Sequence, residues 1–162
     1  MDATAHPDWE ATAQTLVALG APLGGWRPNR RLSSETALVQ ALGFAKENAT
    51  LLRSLPVVLA RTWRDLDWDE LERGARARGH LALLGMLTEL TASLANVAGL
   101  REKAQRWWHP PRETRHLFRP RNAFDKELAE RHSPAVARKW GFLMNVGEDS
   151  FRTLYERHAR QV

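Results

Sequence analysis

Residues 80–98 read HLALLGMLTELTASLANVA, and their spacing decides the fold class. Leu81, Leu84, Leu87, Leu90, Leu94 and Val97 recur every three or four positions, which predicts a long helix with one apolar stripe. Gly85, Ala92 and Ala95 leave room on it for the close approach of another helix. Upstream, Asp67 and Glu70 stand three apart, the spacing of a capping box with Asp in the place usually held by Ser or Thr. Leu71 and Ala75 follow, and Gly79 after Arg76 and Arg78 suits a helix C-terminus. Pro56 predicts the start of a short helix through Trp63, because proline lacks only an N–H that the first turn leaves unpaired. Ser33 or Ser34 can cap a helix in which Leu38, Leu42, Ala45, Ala49 and Leu52 keep helical spacing. Asp8 can cap a first helix from Trp9 to Leu19, ended by Gly20 and followed by the loop 21–31.

Downstream, helicity can run from Leu100 into Trp108, where Pro110 and Pro111 stop it. Residues 110–122 read as an irregular Pro/Arg-rich loop, and the sequence leaves open whether it is ordered without a ligand. Short helices are expected over 123–132 and from Pro134 to about Trp140, and a final one over 148–159. Residues 142–146 are apolar and ambiguous, and no convincing alternating strand pattern appears. The expectation is an all-α fold: one compact domain, 1–162, of six to eight helices.

Composition narrows the chemistry. The 162 residues include no Cys, which excludes disulfides, thiolate metal sites and a cysteine nucleophile. No apolar run approaches the length of a membrane span, and residues 1–9 lack a signal-peptide core, so a soluble cytoplasmic protein without membrane attachment is expected. The net charge of +5 is local. Residues 1–100 carry a net −1 and residues 122–162 a net +1, whereas residues 101–121, REKAQRWWHPPRETRHLFRPR, carry +5.

This stretch is the candidate binding site. Arg101, Lys103, Arg106, Arg112, Arg115, Arg119 and Arg121 can neutralise phosphates, with Trp107, Trp108 and Phe118 available for base stacking. The same Arg and Trp residues can instead anchor a protein interface, where both types dominate. They can also be a solvated rim around core tryptophans. The segment 65–70, DLDWDE, holds two Asp-x-Asp pairs of the kind that bind Mg²⁺ in nucleotidyltransferases. No Gly-Ser loop precedes it, and acids opening a helix favour the positive end of its dipole, so capping is the expected role. His109 and His116 lie seven apart across two prolines, without Cys or an HExxH partner, so neither a metal nor a cofactor is expected.

Two resemblances bear on function. Arg152 and His158, separated by five residues on the last predicted helix, resemble the Arg-x4-6-His motif of HEPN-type ribonucleases, all-α domains that usually act as dimers. Arg73 and His80 fit the pattern too, and Thr153 stands where that family more often has Asn. The resemblance implies an RNA-binding or RNA-cleaving domain with Arg152 and His158 as its catalytic pair. Residues 66–93, LDWDELERGARARGHLALLGMLTELTAS, are similar to the helical part of abortive-infection E-type (type IV) antitoxins and to helices attached to minimal nucleotidyltransferases. Leu71, Ala75, Arg76, Gly79, Leu84, Gly85, Leu87, Glu89 and Leu90 carry the likeness. Residues 1–60 lack the hairpin of the promoter-binding winged helix of those antitoxins. This second resemblance implies a non-catalytic regulator with a protein partner, a nucleotidyltransferase toxin, and it leads the functional expectation.

Overall fold

The structure, a computed structural model, describes residues 7–159. Its centre is the helix predicted from residues 80–98, here α5 when helices are numbered in chain order. It spans Leu81–Ala95, and residues 83–92 are buried except Glu89. One apolar stripe was expected. Leu83 and Met86, outside that stripe, are buried as well, and a helix that is apolar nearly all round belongs in an interior. Asn96 ends α5 in the left-handed conformation (φ 56°), and α6 then runs over Ala98–Trp107. The two pack as a hairpin, where a run to Ala98 had been expected.

The first half surrounds α5. The helices are α1 (Pro7–Ala18), α2 (Ser34–Ala45), α3 (Ala49–Thr62) and α4 (Trp68–Ala77). α1 begins at Pro7, so Asp8 lies inside its first turn and does not cap it. Ser33 Oγ accepts from the Thr36 N–H at 3.1 Å and caps α2. The single helix expected from Ser33 to Leu52 breaks at residues 46–48, because Asn48 Oδ1 accepts from the Leu51 N–H at 3.0 Å and starts α3 afresh. Pro56 therefore begins nothing. It sits buried within α3, where Leu51, Leu52, Leu55, Val58 and Leu59 bury the apolar surface that offsets its missing hydrogen bond. Asp67 caps α4 through the Glu70 N–H at 3.1 Å, as the capping-box spacing predicts. The reciprocal half of the box is made by α2, since the Asp67 N–H donates to Glu35 Oε2 at 3.1 Å.

After α6 the chain is less regular. Arg115–His116 (β1) pairs in parallel with Phe142–Leu143 (β2), fixed by the Arg115 N–H on the Gly141 carbonyl and the Leu117 N–H on the Leu143 carbonyl, both at 2.8 Å. Residues 110–122 are thus tied to the fold and not left without order. Between the strands lie α7 (Ala123–His132) and α8 (Ala135–Lys139), and α9 (Glu148–Ala159) closes the described chain against α3. Nine helices form among the described residues, one more than the upper figure expected, because α6 is a helix of its own after the stop at Asn96. The fold is all-α, and one apolar core runs from Trp9 in α1 to Phe151 in α9.

Candidate functional site

The basic stretch 101–121 does not fold into one surface. It is divided among three clefts, and α6 sets the division. On its first face Lys103 Nζ stands 5.0 Å from the centre of the Trp68 ring, and the rings of Trp68 and Trp107 lie 5.9 Å apart with planes tilted by 36°. These residues floor a groove of about 330 Å³. One wall carries Asp67, Asp69 and Glu72 from the start of α4, and the other Lys103 and Arg106 from α6. Acidic and basic side chains thus face each other across paired tryptophans. Of the acids, Asp67 is committed to the cap and Glu72 to an ion pair with Arg76 at 3.5 Å. Arg101 points elsewhere, its guanidinium 3.5 Å from Ser93 Oγ.

Trp107 also borders a second groove, of about 390 Å³, at the start of α5. Leu81, Pro111, Trp140 and Phe142 supply its apolar walls, Arg112 and Arg115 its positive charge, and His109 also lines it. Glu113 is also there, at the limit of an ion pair with Arg115 (4.0 Å). Trp108 faces neither groove as a free ring. Its indole N–H donates to the Lys139 carbonyl at 3.1 Å, Lys139 Nζ lies 5.4 Å from its ring centre, and Lys139 pairs with Glu89 at 2.5 Å. Trp108 fastens the end of α6 to α8.

The third cleft, about 170 Å³, holds Phe118, Arg119 and Arg121 beside His116 and Asp125. Arg121 is bound there, its backbone N–H and its guanidinium both donating to Asp125 Oδ2 at 3.2 Å. His109 and His116 occupy different clefts, and among the described residues no group of three His, Asp or Glu side chains can hold a metal.

The ribonuclease-like pair is not gathered into one cavity. Arg152 is exposed and pairs with Glu148 at 3.5 Å, while His158 is half-buried and its carbonyl accepts from Arg61 at 2.9 Å. The cleft on that side is lined by Arg53, Ser150, Thr153 and Arg157. In the second match, Arg73 is exposed on α4, whereas His80 is half-buried before α5.

Four further residues belong to the sites or their surroundings, and of these the sequence singles out only His80, in the second match to the ribonuclease motif. Trp68 and Trp140 lie outside the basic stretch. Lys46 ends α2, and burial, followed by the nearby charge of Arg115, pushes its ammonium below the ordinary range. His80 stands before α5 with Nδ1 buried and without a partner. Burial first, then Lys46 and Arg78, hold its imidazolium below the usual value, while the Gly79 backbone acts the other way. Lys46 thus feels the charge of Arg115, and His80 that of Lys46. No protein-family model, curated protein or solved structure matches the chain.

Proposed function

We propose that this protein is a non-catalytic helical binding protein that holds a partner protein on the face made by α6 and the loop after it. The observation that carries this reading is the first groove, where Asp67, Asp69 and Glu72 oppose Lys103 and Arg106 across Trp68 and Trp107. A polyanion laid along α6 would bring phosphates toward those carboxylates, whereas a protein surface can meet both signs and bury the tryptophans. Arg and Trp at the centre of a contact are also the types that contribute most to protein interfaces. The likeness of residues 66–93, now α4 and α5, to type IV antitoxins makes a cytoplasmic nucleotidyltransferase toxin the first partner to test. No described helix is long and apolar enough to cross a membrane.

The test is a pull-down from the native host with the wild-type chain and with the double variant Lys103→Glu/Arg106→Glu. A partner held by the wild type and lost from the variant, with thermal midpoints alike, is expected. Equal retention by both chains, or retention that nuclease abolishes, would overturn the reading. Nuclease-sensitive retention would favour the RNA-binding alternative.

A further inference from the structure

We propose that the second groove, at the start of α5, binds a planar ring carrying a phosphate, a ligand of mononucleotide size. Its volume, about 390 Å³, is in the range of small-molecule sites. Its two kinds of lining match the two halves of such a ligand. Trp107, Leu81 and Pro111 give a flat apolar wall on which a ring can stack. Arg112 and Arg115 give charged donors whose fork geometry suits phosphate.

The neighbourhood of Arg115 specifies an anion. Lys46, at the end of α2, feels the charge of Arg115 and makes no ion pair among the described residues. The one carboxylate lining the groove, Glu113, stands 4.0 Å from Arg115, with both side chains about 70% exposed. An exposed pair at that distance compensates little. α5 itself starts without a side-chain cap, so the amide N–H groups of its first turn, at Leu81 and Ala82 on the groove edge, remain available to an acceptor. Lys46 and Arg115 repel one another, and with Arg112 and a helix start beside the groove the local charge favours entry of an oxyanion. Entry of a phosphate would relieve the repulsion between Lys46 and Arg115.

A free nucleotide and the 5′-terminal nucleotide of a strand share this chemistry. The experiment titrates the full chain with the four ribonucleoside 5′-monophosphates, their nucleosides and a 5′-phosphorylated tetranucleotide, read by calorimetry and by amide and indole shifts. At least one monophosphate should move the Leu81 and Ala82 amides and the Trp107 indole, and bind about tenfold or more tighter than its nucleoside. Arg115→Met and Lys46→Met should each weaken it by about tenfold, and Arg101→Met should not change it. A strand bound tenfold tighter than the monophosphate assigns the source to a nucleic-acid end, and any lesser ratio assigns it to the free nucleotide. The absence of shifts at millimolar monophosphate, shifts outside the groove, or equal affinity for nucleoside and nucleotide would overturn the site. The wild-type shift map decides even where a variant fails to fold. Lys103→Glu/Arg106→Glu, which tests the partner surface, should leave nucleotide binding within twofold, so the two readings fail separately.

Discussion

Gly85 is the residue that the centre of the molecule cannot change. A Cβ placed there would lie 2.3 Å from two atoms of the Trp140 ring, and Trp140 is itself only 5% exposed. The small residues of α5 were expected to admit another helix, and at Gly85 what they admit is this one indole from the end of α8. Elsewhere in a helix Gly→Ala stabilises by roughly 0.5–1 kcal/mol. Here Gly85→Ala should instead destabilise by about 1–3 kcal/mol, the cost of overpacking, measured by denaturant unfolding. A more stable variant would mean that Trp140 does not fill the space. His80 gives a second prediction at this scale. Its pKa is lowered in the folded state by burial and by Lys46 and Arg78, so the unfolded chain takes up the proton first. Stability is therefore complete at neutral pH and declines as pH falls through the unfolded value near 6.5, levelling off below the folded pKa. Between about pH 7.5 and pH 5.5 the wild type should lose more stability than His80→Gln. Equal losses would show that His80 does not titrate in this way.

At the scale of elements, the acids at the start of α4 separate a cap from a metal site. Asp67 Oδ1 accepts from the Glu70 N–H, whereas Asp69 makes no such bond. Asp67→Ala should cost about 1 kcal/mol, and Asp69→Ala less than about 0.5 kcal/mol. Stabilisation of the wild type by millimolar Mg²⁺, abolished by either change, would reverse the assignment. Local signals of this kind were legible in the sequence. The spacing of Asp67 and Glu70, the Gly79 stop (φ +74°), the Ser33 cap, and α7 and α9 between their predicted bounds all depend on residues within a turn of each other. What escaped is decided at longer range or by competing caps. The apolar spacing from Leu38 to Leu52 runs unbroken through residues 46–48, and only the Asn48 side chain, with its bond to the Leu51 N–H, divides it. Pro56 looks like a helix start until the buried leucines on either side outweigh its missing N–H. β1 and β2 are two residues each and pair across 27 positions of sequence, too short to show alternation.

For the whole molecule, the charge partition was legible and its fate was not. The sequence locates the +5 excess in residues 101–121, but β1 docking on β2 and Trp108 fastening to Lys139 turn that stretch through three clefts. Lys46, whose charge meets that of Arg115, comes from the end of α2, 69 positions before it, and no local pattern announces it. The same long-range closure joins the two ends of the described chain. α9 lies on α3, with Phe151 1% exposed, Arg53 donating to Ser150 Oγ at 3.1 Å and Arg61 to the His158 carbonyl at 2.9 Å. Leu51, Leu52 and Leu55 of α3 in turn share one apolar core with Trp9 and Leu16 of α1. A core with no internal boundary should unfold in one step. Phe151→Ala, which leaves a cavity where a phenyl ring was buried, should cost about 3–5 kcal/mol. Because α9 is part of that core and not an appendage, the loss should reach α1. Near-UV ellipticity, which reports on tryptophans such as Trp9, and far-UV ellipticity, which reports on the helices, should shift together to one lower midpoint. An early far-UV transition with the near-UV signal unmoved would show instead that α9 melts alone and that the first eight helices hold the core without it.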